Sequence, residues 1–446
     1  MRRSVEEETG ALMRATRWIA FAAVVVALLA GCSDSGEDEE NPGAKEGKRT
    51  GPSPSAEATP PGTQLDVPAL YDTGRGWEST EEGTQLPLPR TGAVAVYWER
   101  PGEGGPDEYG FTVLDAATGE KRWSSVPVSP LESTSLPYIR ATVDGKEYLA
   151  LWSSGTTDDD AINRGKEVVA IDIFPADASG DGVRPVHVEV DGEGKVRDGG
   201  AGLLVQSGDD TVVAVDPATG DTTEYGVADQ EPPADCPECD SSWQVKGLTD
   251  DGLLIGTSID IDYNGFWVPG AWTAADLRPK GVAPGEPSRV QVISDDLLVV
   301  DWGQERNSEA IVWSAVDSSS GKTLATVRCE GDTTPGDHHL SANGRYLAHG
   351  GRVFDLEEGT GVCYERTDST NAVEFQLATD EGVVYGNAIG SEGFISSEDP
   401  VQLDMRTGKI EEFDDVTIDF PFGDTAGFGL FWDEASRTMV AYPHAS

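Results

Sequence analysis

The chain has 446 residues, 37% of them hydrophobic and 8% aromatic, with 53 Gly and 27 Pro. That is enough for two or three domains or one large repeat architecture, and it suits a turn-rich all-β protein; the Leu/Lys/Glu-rich periodic stretches of a helix bundle are missing. The formal net charge of −48 repels nucleic acid and anionic lipid, which excludes both as direct electrostatic partners, and it favours solubility.

At the N-terminus, Arg2, Arg3, Arg14 and Arg17 precede a 13-residue apolar run, WIAFAAVVVALLA (18–30), and then Gly31-Cys32. The run is short for a bilayer span and has the length of a signal-peptide h-region. The stretch Leu29-Ala30-Gly31-Cys32 resembles a bacterial lipobox. That resemblance implies cleavage after Gly31 and lipidation of Cys32, whose acyl chains would hold the protein at the extracytoplasmic face of the cell membrane. Residues 33–64 are dominated by Ser, Gly, Pro and Glu and contain almost nothing to bury. The expected organisation is a lipoprotein signal peptide (1–31), a lipidated Cys with a disordered acidic, Pro-rich tether (32–65), and a folded domain (66–446).

Within that domain one phrase recurs: FTVLDAATGEKRW (111–123), VVAVDPATGDTTEY (212–225) and VQLDMRTGKIEEF (401–413). Short β-branched runs close on Asp115, Asp172, Asp216, Asp317, Asp355 and Asp404, and Asp276 fills the gap at a loose period of 38–60 residues. Such periods signal a repeated supersecondary unit that cannot bury its faces alone. Upstream of most runs lies another apolar strand behind an Asp-Gly or Asn-Gly turn, as in DGKEYLALW (144–152) and NGRYLAHGG (343–351). The turn residues are Asp115, Thr118 and Gly119; Asp216, Thr219 and Gly220; Asp317 and Gly321; Asp355; and Asp404, Thr407 and Gly408. Asp bonds the backbone two residues on, Thr does so more weakly, and Gly supplies a positive φ. Four antiparallel strands per roughly 45 residues describe a propeller blade.

VLDAATGEKRW (113–123) resembles the blade signature of quinoprotein-type (PQQ-like repeat) β-propellers, which implies that Trp123 docks on a neighbouring blade. Only Trp123 keeps the full motif; Tyr225, Val327, Tyr364 and Phe413 stand at the corresponding place elsewhere. The expected fold is all-β, a β-propeller of about eight four-stranded blades, with seven as the fallback. DTGRGWEST (72–80) would supply the missing outer strand of the last blade and close the ring. The quinoprotein cofactor site would need a vicinal Cys-Cys pair, and this chain has none; no cofactor is expected.

Outside the cytoplasm the four Cys beyond Cys32 favour disulfides. The expected pairs are Cys236–Cys239, with a redox dithiol as the competing reading, and Cys329–Cys363 between the outer parts of units five and six. Asp177, Ser179 and Asp181 match the first half of a calcium loop, but Val188 stands where a bidentate Glu belongs; the competing reading is a polar turn. His338 and His339 are sequence neighbours and point to opposite faces of a strand, so they cannot chelate together. Ser320-Gly-Lys-Thr323 imitates a Walker loop without its first Gly. No H-E-x-x-H or G-x-S-x-G occurs. The function expected is a non-catalytic binding or scaffold platform for a protein or cell-envelope component. The alternatives are a diverged propeller enzyme, either a dehydrogenase or a polysaccharide lyase or hydrolase, and an envelope sensor.

Overall fold

A computed structural model describes residues 60–445 except 103–105, 133–135, 160–163, 208–210, 227–229, 231–242, 258–264, 283–288, 305–309, 331–335, 367–369, 390–397 and 414–417. It is an eight-bladed β-propeller built from four-stranded antiparallel sheets. Blades 1 to 7 take residues 84–125, 138–191, 195–226, 243–273, 289–329, 338–363 and 372–412 in order, and blade 8 takes 423–443. In each of the first seven blades the strands run outward from the axis in chain order. The long β-branched runs, such as TVVAV at Thr211–Val215 and IVWSAVD at Ile311–Asp317, are third strands with both faces covered.

The core is divided among the blade interfaces. Among the described residues eight apolar clusters are present, and each joins one blade to the next. Phe111, Val113 and Trp123 of blade 1 pack on Leu149, Leu151 and Phe174 of blade 2. The sequence continues through blades 2/3, 3/4, 4/5, 5/6, 6/7 and 7/8. The eighth cluster sets Leu430, Met439 and Ala441 of blade 8 against Val94, Val96 and Leu114 of blade 1. A sheet with two apolar faces cannot leave either in water, so the ring must close.

Closure uses the N-terminal strand. Trp77–Ser79 pairs antiparallel with Thr438–Pro443 as the outer strand of blade 8, the arrangement expected from residues 72–80. Tyr71 bridges His444 in the same direction. The described fold begins before residue 66: Pro61 is buried, Thr63 N–H donates to Glu78 Oε2 at 2.9 Å, and Leu65 N–H donates to the Tyr442 hydroxyl at 3.2 Å. Beside this seam His444 stands between two carboxylates, Nε2 at 2.8 Å from Asp424 Oδ2 and Nδ1 at 3.0 Å from Glu381 Oε1. The Tyr71 hydroxyl donates to the same Asp424 oxygen at 2.9 Å.

The recurrent turn joins the third and fourth strands. In blade 1 Asp115 Oδ1 accepts the N–H groups of Ala117 and Thr118, and Gly119 N–H returns to Asp115 O at 2.8 Å. Asp216, Asp317, Asp355 and Asp404 repeat the pattern, with φ of 66–78° at Gly119, Gly220, Gly321, Gly359 and Gly408. Burial alone would raise the Asp115 carboxyl, but bonds from Arg122 and Thr118 outweigh it and hold it low.

These turns also receive the preceding blade. The Trp123 indole N–H donates to Ala176 O of blade 2 at 3.0 Å. Trp77 does the same to Ala116 O of blade 1, and Trp272 to Ser318 O of blade 5. In each case the acceptor is the first residue beyond a third strand. The turn glycine lies under the docked blade: a Cβ on Gly119 would stand 2.6 Å from the Trp77 ring, and one on Gly321 would stand 2.8 Å from Leu277.

Two repeat assignments are corrected. Asp172 lies inside the strand Arg164–Pro175, facing His187 Nδ1 at 2.8 Å across the ladder, so it closes no turn. Asp276 sits in a one-turn helix, Ala274–Leu277, where it accepts bonds from the Thr273 N–H and hydroxyl. Blade 4 turns instead at Pro269-Gly270, where Gly270 has φ 79° and Ala271 N–H returns to Val268 O. In blade 2 the return loop carries a further strand, Gly180–Val183, which pairs in parallel with the outer strand of blade 1, Lys121–Ser125.

Three tests follow from this architecture. Gly119→Ala combines left-handed backbone strain with a clash against Trp77 and is expected to cost ~2–4 kcal/mol in denaturant melts, whereas Gly408→Ala, with open space around its Cβ, costs ~1 kcal/mol. Cys329 and Cys363 are disulfide-bonded at a Cα–Cα distance of 5.7 Å, linking the outer strands of blades 5 and 6. Cys329→Ser should lower stability by ~2–4 kcal/mol under oxidising conditions. Burial pulls His444 down, but Asp424 and Glu381 together outweigh it and raise its pKa. A raised His pKa stabilises the fold below the unfolded value near 6.5, and that contribution is lost as pH rises through the folded value. His444→Gln should therefore lower the melting temperature more at about pH 6 than at about pH 9.

Candidate functional site at the mouth of the axial channel

The eight innermost strands surround the axis of the ring: Thr84–Leu88, Tyr138–Val143, Lys195–Asp198, Trp243–Thr249, Arg289–Val292, His338–Leu340, Ala372–Ala378 and Gly423–Thr425. Each ends in the turn to its second strand, and these turns share one face with the Asp–Gly turns. On that face opens a cavity of about 680 Å³, lined by turns of blades 1, 5, 6, 7 and 8, among them Arg90, Asp296, Asp317, Asn343, Asp380 and Ala426. Blade 2 reaches the same mouth. Its Asp144-Gly145 turn, with φ of 51° and 70°, places Gly145 N–H 3.3 Å from Asp295 Oδ2 of blade 5.

The carboxylates lining the cavity are engaged. Asp317 accepts the N–H groups of Ser319 and Ser320; burial would raise it, and these bonds outweigh that and hold it below the usual range. Asp380 Oδ1 accepts Asn343 N–H at 2.8 Å, and Asp296 Oδ1 accepts the Ser294 hydroxyl at 2.7 Å. A general acid needs a carboxyl whose pKa is raised toward the working pH. Asp317, held low and bonded to its own turn, is fitted to hydrogen-bond or electrostatic recognition.

Raised carboxyls stand on the same face, in or beside the turns. Asp295 is pushed up by burial and by Asp296, against the pull of Gly145 N–H and Arg90. Asp198 opens to the channel yet is closely walled by protein, and that enclosure pushes it up to about 6 against the Gly200 N–H, Arg140 and Arg197.

Between blades 5 and 6 a directional chain of hydrogen bonds reaches the axis. Arg352 is buried, its guanidinium carbon 3.7 Å from the centre of the Trp313 ring. It faces His349 Nδ1 at 3.2 Å, His349 Nε2 lies 2.9 Å from Gln291 Oε1, and Gln291 Nε2 lies 3.2 Å from His338 Nδ1. Because Arg352 only donates, His349 must accept at Nδ1 and donate at Nε2, which requires a neutral ring. Burial and the neighbouring Arg352 push His349 down to about 3, in agreement.

The residues singled out in the sequence are dispersed rather than gathered at this mouth. Asp115, Thr118, Gly119, Trp123, Asp216, Thr219, Gly220, Asp355, Asp404, Thr407 and Gly408 belong to turns and blade contacts; of the turn aspartates only Asp317 lines the cavity. Asp177, Ser179 and Asp181 are exposed on the return loop of blade 2, where Asp181 bonds Lys121 Nζ at 2.6 Å and Ser124 Oγ at 3.1 Å. Leu29, Ala30, Gly31, Cys32, Cys236 and Cys239 lie outside the described residues. Among the described residues the Glu381–His444–Asp424 group has metal-ligand types within reach. Both ring nitrogens of His444 already face carboxylates, so the ring stands between them as an ion-pair bridge. Trp77 and Trp272 carry no docking text because their turns lack the Asp-x-x-Thr-Gly motif; Trp272 follows the apolar stretch FWVPGA (266–271), whereas Trp77 stands in the polar DTGRGWEST (72–80).

No family model matches the chain, and no curated protein matches it. Among solved structures, BamB from Moraxella catarrhalis aligns at 12% identity over 81% of this chain and 99% of that one, with a TM-score of 0.34. The Dos1 propeller aligns at 12% over 82% and 95%, also with a TM-score of 0.34. A putative 6-phosphogluconolactonase from Bacteroides uniformis aligns at 16% over 72% and 95%, with a TM-score of 0.33. At these identities and scores the likeness is one of fold alone.

Proposed function

We propose that this protein is an exported, lipid-anchored binding platform whose channel-mouth face receives a protein or cell-envelope component, without catalysing a reaction. The observation that supports it most directly is the cavity of about 680 Å³ built by turns of five blades, whose acidic side chains are bonded to their own scaffold. Such turns are rigid, so a partner meets preset donors and acceptors and little ordering is needed on binding. Arg90 is the one Lys or Arg among the lining residues, against three Asp, which favours a partner segment rich in amide and cationic groups. The signal-like residues 1–31 and Cys32 support placement outside the cytoplasm, with acyl chains in the cell membrane.

Two measurements test this reading. Metabolic lipid labelling and membrane fractionation of Cys32→Ser should show loss of label and release or arrested processing; full membrane retention of a processed Cys32→Ser chain would refute the anchor. Capture from detergent-solubilised membranes should return a stoichiometric component that Asp380→Lys and Ala342→Arg, each of which adds positive charge to the acidic mouth, reduce at least ~10-fold. Equal capture by both variants would refute the mouth as the docking surface.

A further inference from the structure

At three seams an indole closes the joint on the mouth face: Trp77, Trp123 and Trp272 each bond the first residue beyond the next blade's third strand. The seam between blades 5 and 6 is built without one. Trp123 stands opposite Val113, two residues before the turn aspartate of blade 1; at the same place, opposite Ala315, blade 5 carries Ala325. Blade 5 therefore meets the turn of blade 6 with backbone instead of a ring: a Cβ on Gly359 would lie 3.2 Å from Leu324 O. Leu356, the residue that corresponds to the three indole acceptors, is half-buried, as are Leu324 and Leu340. All three pack against the cluster that joins these two blades, and all three line the mouth cavity.

The cavity is elongated as a result. From blades 1, 7 and 8 it takes only turns between first and second strands, at residues 89–92, Asp380 and Ala426. On blades 5 and 6 the lining continues outward, from Leu297 and Leu340 near the axis to Leu324 on a fourth strand and Leu356 beside a third. Three strand spacings make about 14 Å, which about four extended residues cover. The outcome is a trough with a leucine floor. Its carboxylates are half used. Asp296 and Asp380, at the axial end, each commit Oδ1 to the scaffold, and their Oδ2 atoms have no partner among the described residues. Asp317 stands midway along the trough, at the end of the third strand of blade 5.

We propose that this trough seats an extended peptide segment of a protein partner, with a Lys or Arg at the axial end and an aromatic or large aliphatic side chain over Leu324, Leu340 and Leu356. The proposal rests on the reading of the mouth as a docking surface and names what enters it. The apolar side chain takes the place that an indole holds at three other seams, and it covers leucine surface that is half open to water. The cation meets the uncommitted oxygens of Asp296 and Asp380 in charge-assisted bonds. Three Asp against Arg90 alone favour a cationic segment over an acidic one. A glycan would leave hydroxyls unbonded over the leucine floor, and no aromatic ring lines the cavity to stack on a sugar.

The test selects phage-displayed random heptapeptides on the full chain in detergent and measures the enriched peptides by fluorescence anisotropy. Enriched sequences are expected to join at least one Lys or Arg to Phe, Trp, Leu or Ile. Leu324→Glu and Ala325→Trp, the second supplying the indole that blade 1 has, should each weaken binding at least ~10-fold, and Asp380→Asn at least ~3-fold. Lys409→Gln, on an outer strand of blade 7, should leave it unchanged. Near-UV circular dichroism verifies each variant, and Leu324→Glu, at the cavity edge, carries the test if Ala325→Trp does not pack. Failure to enrich any peptide, enrichment of acidic or wholly polar ones, or equal binding by folded Leu324→Glu would overturn the proposal. The component captured from membranes separates it from the broader reading. Capture lost with Asp380→Lys but complete with Leu324→Glu refutes the trough and leaves the mouth, whereas undiminished capture by both refutes both.

Discussion

The constraint on which this molecule depends is that each sheet has two apolar faces and only its neighbours to cover them. No blade has a core of its own. Leu254 and Phe266 of blade 4 are buried by Leu298, Val300 and Trp302 of blade 5, while Ile255 and Trp267 turn the other way to meet Leu204 and Val212 of blade 3. Alternation along a strand thus becomes alternation between partners, and every blade is a shared wall. Stability must be read at the seams, where the indoles of Trp77, Trp123 and Trp272 make their cross-blade bonds.

The recurrent Asp–Gly turn serves these seams twice. Its Asp fixes the turn by accepting backbone N–H groups, and its Gly leaves a bare surface on which the previous blade lies. The same chemistry explains why the motif drifts. Where Trp77 docks, Gly119 must be bare; where Leu277 docks, so must Gly321. Gly408 carries no such load in side-chain terms, and the Tyr364 hydroxyl reaches its carbonyl at 3.3 Å instead.

Much of the fold was legible in the sequence because period, turn text and β-branched runs are all local signals. The blade number and the closing role of residues 72–80 followed from them. The failures share one cause. Asp172 and Asp276 were aligned on the identity of one residue, but a strand that continues three residues past its Asp, or a Pro-Gly turn followed by a helical turn, satisfies the same blade geometry by other means. The site was far less legible. The mouth gathers residues from five blades, and no short window of sequence holds two blades at once. Gly145 of blade 2 and Asp295 of blade 5 lie 150 residues apart in the chain until the ring brings them to 3.3 Å.

The pairing of Trp77–Ser79 with Thr438–Pro443 also joins the two ends of the folded domain. Seven blades are made of segments contiguous in the chain and can form as hairpins close, on microsecond timescales. The eighth needs two segments some 360 residues apart to meet, and its closure carries a larger loop entropy than any hairpin within a blade. A ring left open at that seam would show Val94, Val96 and Leu114 of blade 1 to solvent. An interrupted ring is therefore sticky at a defined place, and the short strand at residue 77 acts as the clasp that ends the exposure.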